Sequence, residues 1–304
     1  MLHTPTAMWH KLYTPLNWDT HGPTWPNHAH SQFVQTHQYR WHVQVMGQGP
    51  IMLMLHGTGA SAHTWAGMSE ALQTHYTLVC PDLPGHGFTT ALHHDDYGLH
   101  SMTQALTDLL QQLGYTPQVV VGHSAGAAVG MDYVIQHNNP AALSLVGLNP
   151  AWLPLPGLAQ WLFPVAAKLA ALNPLSGWLT SKQASMNRVR QLLASTGSQL
   201  TAQQLEPYAV LMQSPHHVQG VLRMMSQWHL DDLVQRFVQR PSRLLIQAGS
   251  ADRTIPMHHA LQVQQLLPQS TLQVLDGLGH LAHEENADLS AQQLLSWLSL
   301  QTGH

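Results

Sequence analysis

Ser124 stands in the motif GHSAG (122–126), directly after the β-branched run 119–121 and before a run of small residues. This pattern predicts a buried strand, a sharp turn with the serine at its apex and a helix, because the flanking glycines permit a turn too tight for larger side chains. Such a serine is either an activated nucleophile for acyl transfer or an N-cap of the helix. A hydroxyl is a weak nucleophile, so the choice depends on finding a base and an orienting acid elsewhere in the chain.

Candidates for the acid and the base follow two later strands. Asp252 follows the predicted strand 243–247 by a short turn, and His280 follows the predicted strand 271–275. Because the carboxyl ends of parallel strands meet at one edge of a sheet, we expect both side chains to lie near Ser124. In this prediction Ser124 attacks an acyl carbon, His280 accepts and returns the proton, and Asp252 orients the imidazole.

Both assignments have alternatives. His283 is a competing base, but glycine before His280 suits a loop tip, whereas the acidic residues after His283 suit the start of the last helix. Asp252 could instead cap a helix or pair with Arg253.

A glycine-rich turn, HGTG (56–59), follows the apolar run 51–55. Backbone N–H groups in such a turn point toward the carboxyl edge of the sheet, so we predict that those of Thr58 and Ala125 form an oxyanion hole. A simple strand-to-helix turn is the alternative interpretation.

Composition narrows the classes of protein that the chain can represent. Only 9% of the 304 residues are charged, and the formal charge is −4 without a long basic run, which disfavours a nucleic-acid partner. The 24 histidines are expected mostly as surface substitutes for charged residues.

Cys80 is the only cysteine, which excludes an intrachain disulfide and suits a cytoplasmic location. Residues 1–18 lack the apolar core of a secretory signal. Neighbouring residues such as those in HHDD (93–96) rarely point at one ion, so we predict no metal site and no cofactor.

Strands alternate with helices along most of the chain, which predicts an α/β fold: a mostly parallel eight-stranded sheet flanked by helices, with an inserted helical cap. The expected organisation is an irregular arm over 1–30, a core formed by 31–149 and 243–304, and a cap with its return to the core over 150–242. Trp9, Trp18 and Trp25 are expected to attach the arm to the core.

The cap is rich in aromatic residues, which suggests an apolar substrate pocket lined by His56, His123, Trp152, Trp161 and Phe163. Prolines and Lys168 interrupt the apolar sequence, so a transmembrane span is not expected. Peripheral contact of the cap with a membrane stays open as an alternative.

The order Ser124, Asp252, His280 is the nucleophile–acid–base order of the α/β-hydrolase superfamily, which the chain resembles after its arm. More narrowly, it resembles the magnesium-chelatase accessory proteins (the BchO type) of bacteriochlorophyll biosynthesis. The matching segments are WPNH (25–28), HGTGAS (56–61), 81–89, 122–128, ALNP (171–174), TGS (196–198) and 277–285.

The narrower resemblance implies a role at magnesium insertion into protoporphyrin IX, with magnesium chelatase as a partner. It also implies a cytoplasmic location or one peripheral to the inner or photosynthetic membrane.

Two functions are then consistent with the sequence. The first is a serine hydrolase that acts on an ester-like bond of an apolar, porphyrin-related substrate. The second is a non-catalytic tetrapyrrole-binding accessory factor or chelatase partner.

Overall fold

A computed structural model describes residues 14–92, 96–154, 173, 176–230 and 232–300. Its core is one nine-stranded sheet with the order β1-β2-β4-β3-β6-β7-β8-β9, to which the two-residue β5 adds through β2. The strands are β1 Ser31–Gln35, β2 Tyr39–Met46, β3 Ile51–Leu55, β4 Thr77–Pro81, β5 Thr90–Ala91, β6 Val119–His123, β7 Ser144–Leu148, β8 Arg243–Gly249 and β9 Thr271–Leu275. The predicted α/β-hydrolase architecture is confirmed, and β5 is the strand that the sequence analysis did not anticipate.

The sheet is antiparallel at one end and parallel elsewhere. β1 and β2 form a hairpin around residues 36–38, and β2 pairs antiparallel with β4. From β4 through β3, β6, β7 and β8 to β9, every neighbouring pair is parallel. All residues of β6 and β7 are buried, as their unbroken apolar sequences require of strands covered on both faces.

Helices cover both faces of this sheet. The α-helices of the described residues are α1 Trp18–His21, α2 Ala66–Leu72, α3 Leu99–Leu113, α4 Ala125–Gln136, α5 Ser176–Gln183, α6 Met186–Ser195, α7 Ala202–Met212, α8 Pro215–Gln227, α9 Leu233–Gln239, α10 Met257–Leu266, α11 Ala282–Glu285 and α12 Ala287–Ser299. One face packs its apolar residues against α3, α4, α9 and α10, and the other against α2 and α12. Helix α3 is followed by its C-cap Gly114, whose φ of +69° favours glycine.

The described part of the cap comprises α5 to α8, which lie in the chain between β7 and β8. Helix α9 belongs to the core, where Leu233 and Phe237 are buried in the apolar cluster of the sheet. Trp161, Phe163 and Lys168 lie outside the described residues. Within the described ranges, no helix is long and apolar enough to cross a membrane.

Two tryptophans attach the described part of the arm to the core. The Trp18 ring lies 4.9 Å from the rings of His42 and Phe88, and Trp25, which is 3% exposed, lies 5.0 Å from Phe88. Trp9, the third predicted contact, lies outside the described residues. The described part of the arm therefore packs against the hairpin strand β2 and the loop that follows β4.

Buried histidines are more frequent than the composition suggested. Of the histidines in the described ranges, those that are buried are His42, His56, His63, His86, His123, His217, His259, His280 and His283. These residues do not fit the expectation of surface histidines, whereas the other histidines in the described ranges are half-buried or exposed. Cys80, in β4, is also fully buried, and its burial raises the pKa of the thiol.

Candidate active site

Ser124 occupies a strained turn between β6 and α4. Its backbone has φ 51° and ψ −117°, which is outside the regions that a serine ordinarily adopts. The serine N–H donates to the Leu148 carbonyl oxygen at 3.1 Å, which fixes the turn to the end of β7. The serine side chain makes no capping hydrogen bond to α4, so the N-cap interpretation does not account for it. Strain of this kind persists only where the surrounding structure imposes it, and it is frequent at functional sites.

The glycines around Ser124 are required by close backbone packing. A Cβ atom at Gly122 would lie 2.4 Å from Ala127 Cα, and one at Gly126 would lie 2.2 Å from the Leu55 carbonyl oxygen. Both distances are far below any real contact. The motif GHSAG therefore meets the steric requirements of the turn that presents Ser124.

Asp252 and His280 form a buried pair at the ends of β8 and β9. The two atoms Asp252 Oδ2 and His280 Nδ1 are 2.8 Å apart. The other carboxylate oxygen of Asp252 accepts from the backbone N–H groups of Thr254 and Ile255 at 2.7 and 2.9 Å. One oxygen thus stabilises the local turn, while the second contacts the imidazole of His280.

The loop of His280 is attached to the residue that precedes Ser124. His123 Nε2 lies 2.9 Å from the His280 carbonyl oxygen, and the two imidazole rings are 4.8 Å apart. His123 is 2% exposed, and burial lowers its pKa well below the ordinary value. A neutral ring that donates to a backbone carbonyl is a structural link, so His123 positions the His280 loop and lines little of a pocket.

His283, the competing base, lies in a different environment. Its Nε2 atom is 2.8 Å from Thr64 Oγ1, its ring stacks on His123 at 4.3 Å, and it is 1% exposed. Burial lowers its pKa to about 3. The acid Asp252 contacts His280, whereas His283 Nε2 is bound to the Thr64 hydroxyl, so this geometry favours His280 as the base.

The predicted oxyanion loop lies beside Ser124. A Cβ atom at Gly57 would be 3.2 Å from Ser124 Cβ, which places the start of the loop against the serine. Thr58 is exposed, and Ala125 is the first residue of α4. Among the described residues, the N–H groups of Thr58 and Ala125 donate to no protein acceptor. They are therefore available for a ligand.

Two predicted pocket residues do not line an open pocket. His56 is fully buried, with Nδ1 2.8 Å from the Gly57 carbonyl oxygen and Nε2 accepting from the Leu83 N–H at 2.9 Å. Trp152 is also fully buried, and its indole N–H donates to the Ala127 carbonyl oxygen at 2.8 Å. Both expectations are wrong because the two side chains are fully buried and their ring nitrogens are bound to backbone groups. Trp161 and Phe163 lie outside the described residues.

Asn149 is a site residue that the sequence analysis missed. It follows β7 directly, with φ 45°, and its side-chain amide donates to Asp252 Oδ2 at 2.8 Å and to the Gly279 carbonyl oxygen at 3.3 Å. It thus fixes the carboxylate and the loop of His280 together. A polar residue directly after a buried strand was the available signal.

Comparison with known proteins agrees with this architecture. The family model described as the alpha/beta hydrolase fold matches residues 50–287. A solved structure of a membrane phospholipase A covers 90% of this chain and 87% of its own, with a TM-score of 0.72 at 18% identity, a level that supports the fold alone. The chain therefore belongs to the α/β-hydrolase family.

Its relatives narrow the assignment further. The chain is 39% identical over 251 residues, 82% of its length and 87% of the other, to a protein of Rhodobacter capsulatus named magnesium-chelatase 30 kDa subunit. Within the α/β-hydrolase family it therefore belongs with the magnesium-chelatase accessory proteins. It is also 24% identical to 2-hydroxy-6-oxo-6-phenylhexa-2,4-dienoate hydrolase of Burkholderia cepacia, across 86% of this chain and 92% of that enzyme.

Proposed function

We propose that the protein is a serine hydrolase in which Ser124 is the nucleophile, His280 the general base and Asp252 the residue that orients His280. The observation that carries the proposal is the strained Ser124 turn at the same sheet edge as the 2.8 Å Asp252–His280 pair. The N–H groups of Thr58 and Ala125 would bind the oxyanion of the tetrahedral intermediate. Removing one such donor from an enzyme of this type typically reduces the rate by roughly 10²- to 10³-fold.

The steps follow from the positions of these groups. The Ser124 hydroxyl attacks the acyl carbon while His280 Nε2 takes its proton, and the imidazolium is stabilised by Asp252. His280 then returns the proton to the leaving group, and water repeats the sequence to release the acid. Asn149 keeps the Asp252 carboxylate aimed at His280 Nδ1 during both steps.

For the substrate, we propose an ester-like bond of an apolar, porphyrin-related molecule. The support is the 39% identity to a protein named magnesium-chelatase 30 kDa subunit, together with the helical cap over the carboxyl edge of the sheet. A protoporphyrin IX derivative and magnesium chelatase are the partners that this similarity suggests, and a cytoplasmic or peripheral membrane location would suit them.

A fluorophosphonate probe tests the catalytic proposal directly. The wild-type protein should be labelled on Ser124, whereas Ser124→Ala and His280→Gln should not be labelled. Ser195→Ala is the matched control, because the Ser195 hydroxyl is exposed and donates only to the Leu192 carbonyl oxygen within α6. A folded wild-type protein that resists labelling would contradict the proposal.

The relative's name favours a second function, that of a non-catalytic tetrapyrrole-binding accessory factor. Complementation of a Rhodobacter capsulatus strain that lacks its 30 kDa subunit separates the two. If the protein acts as a hydrolase, Ser124→Ala should fail to restore pigment synthesis while the wild type restores it. Restoration by Ser124→Ala would favour the accessory factor.

A further inference from the structure

A short cap segment, Thr196–Ser198, lies against the loops that carry Asp252 and His280. The Arg253 N–H donates to the Thr196 carbonyl oxygen at 3.0 Å. The Leu281 N–H donates to the Ser198 hydroxyl at 2.8 Å. These two donors are the residues that directly follow Asp252 and His280. One segment of three residues therefore holds both members of the acid–base pair.

Gly197 fills the space between the same two loops with its backbone. Its φ is +91°, and a Cβ atom there would lie 2.1 Å from the Ala251 carbonyl oxygen. A Cβ atom at Gly279 would in turn lie 2.4 Å from the Gly197 carbonyl carbon. The residues that precede Asp252 and His280 thus both lie close to Gly197, and a residue with a side chain would not fit there.

The following residues extend this attachment. Glu285, at the end of α11, accepts from the Gly279 N–H at 2.8 Å with one carboxylate oxygen and from the Gln199 N–H at 2.9 Å with the other. The carboxylate therefore links the His280 loop to Gln199, the residue that follows the cap segment. Asn149, at the end of β7, also binds the His280 loop, and it links that loop to the Asp252 carboxylate.

We propose that Thr196–Ser198 is a positioning element for the acid–base pair, and that Ser198 is its positioning residue, acting through the Leu281 N–H. The proposal rests on the proposed hydrolytic function, since the pair is assigned its role there. Asp252 and His280 come from loops 28 residues apart, so their contact depends on how those loops are held relative to each other. The cap in this view is part of the catalytic framework and not solely a cover for substrate.

Ser198→Ala tests this with Ser195→Ala as the matched control. Both remove one hydroxyl from the same cap region, but only Ser198 contacts a catalytic loop. With a p-nitrophenyl ester as the probe substrate, we expect kcat of Ser198→Ala to fall by about 10- to 100-fold, as displacement of a catalytic group does, with KM within about twofold. The fluorophosphonate labelling rate should fall in parallel, and Ser195→Ala should stay within about twofold of wild type.

A proton NMR measurement separates positioning from general loss of structure. The Nδ1 proton of a histidine bound to a carboxylate resonates far downfield, and this protein should show two such signals, from His280 and from the buried His42–Asp82 pair. His280→Gln identifies its signal by removing it. In Ser198→Ala the His280 signal should shift or broaden while the His42 signal stays, which provides an internal reference for folding.

Each outcome decides the proposal. An unchanged His280 signal in Ser198→Ala overturns it, whether or not the rate falls, because a rate loss would then arise elsewhere. An altered signal with a rate equal to that of Ser195→Ala also overturns it. If the wild type neither reacts with fluorophosphonate nor cleaves the ester, the proposed function fails, and the NMR signal alone then decides whether Thr196–Ser198 positions the pair.

Discussion

Among the described residues, two buried aspartate–histidine pairs have nearly equal Nδ1–Oδ2 distances. His280 Nδ1 lies 2.8 Å from Asp252 Oδ2, and His42 Nδ1 lies 2.9 Å from Asp82 Oδ2. The second pair even continues to a serine, because His42 Nε2 is 3.0 Å from Ser31 Oγ. A Ser–His–Asp chain of contacts therefore occurs at the antiparallel end of the sheet, outside the proposed active site.

The surroundings of the second pair are those of a structural link. Ser31 lies in the regular strand β1, and His42 is fully buried beneath the rings of Trp18 and Phe88. Asp82 also accepts from the N–H groups of Ala62 and Phe88 at 2.8 and 2.9 Å. Burial would raise the pKa of Asp82, but the charge and hydrogen bond of His42, aided by His56 and the Ala62 N–H, lower it to about 2. This pair holds the loop 81–89 to the hairpin.

Comparison of the two pairs shows which structural features distinguish the proposed catalytic serine from a structural one. An acid–base pair in contact with a serine is not sufficient. What distinguishes Ser124 is its strained backbone at φ 51° and the neighbouring N–H groups of Thr58 and Ala125, which donate to no acceptor among the described residues. These are properties of the turns at the strand ends.

The largest difference between the pairs should appear when each serine is replaced. We expect Ser124→Ala to reduce ester hydrolysis by about 10⁴-fold or more, because the nucleophile is lost. Ser31→Ala should leave the rate within about twofold and cost about 1 to 2 kcal/mol of unfolding free energy, since the contacts of its hydroxyl with His42 and Gln44 are removed. Steady-state kinetics and urea unfolding measure both effects, and a comparable rate loss in Ser31→Ala would abolish the distinction.

Replacing each aspartate by asparagine separates catalysis from stability. Asp252→Asn should lower kcat by up to about 10⁴-fold, because an amide favours the wrong imidazole tautomer. Asp82→Asn should change kcat little but reduce the unfolding free energy by about 3 kcal/mol or more, since it breaks a fully buried charged network. The opposite pattern in the same two assays would show that the roles have been interchanged.

Substitutions of Asn149 test how the Asp252–His280 pair is held in place. Asn149→Gly and Asn149→Ala both remove the amide that donates to Asp252, and we expect each to lower kcat by about tenfold. Alanine should destabilise the fold by about 1 kcal/mol more than glycine does, because the φ of 45° is strained for alanine and not for glycine. Equal stability of the two variants would contradict this account of the backbone.

The smallest effect concerns buried histidines that lack an acidic partner. Burial lowers the pKa of His63 to about 3. The unfolded chain binds a proton there below about pH 6.5, so stability is lost as the pH falls from 6.5 toward 3, by up to about 1.4 kcal/mol per pH unit. His63→Gln should therefore reduce the difference in unfolding free energy between pH 7.5 and 5.5 by about 1 kcal/mol, whereas the exposed control His75→Gln should not.

A carboxyl group at the cap contact contributes with the opposite sign. Burial raises the pKa of Glu284 to about 7, although hydrogen bonds from Thr64 and Tyr208 oppose the shift. Its contribution to stability is therefore present at low pH and is lost as the pH rises between about 4.5 and 7. Glu284→Gln should remove that loss, and an unchanged pH dependence in urea unfolding would contradict the assignment.

Much of the core was predictable because its signals are local. The strand before Ser124 and the strand 51–55 follow from apolar runs that lead directly into glycine-containing turns. The positions of Asp252 and His280 at strand ends were predictable for the same reason. Their contact could be anticipated because parallel strands deliver their ends to one edge.

The errors concern residues whose roles depend on packing between distant segments. Trp152 and His56 have pocket-like sequence neighbours, yet their polar atoms are bound to Ala127 and Leu83 in the core. The contact of Thr196–Ser198 with two catalytic loops spans more than 50 residues of sequence on one side and more than 80 on the other. No local pattern reports such a contact, so it emerged only from the three-dimensional arrangement.

The isolation of Cys80 has a practical consequence for measuring motion of the cap. Because this single thiol is fully buried in β4 and its pKa is raised, a thiol-directed dye should leave the native protein unmodified. Ser195→Cys, at an exposed position of α6, would then be the one reactive thiol without removal of any native residue. A fluorophore at that position would report directly on the environment of the cap beside the segment that holds the catalytic loops.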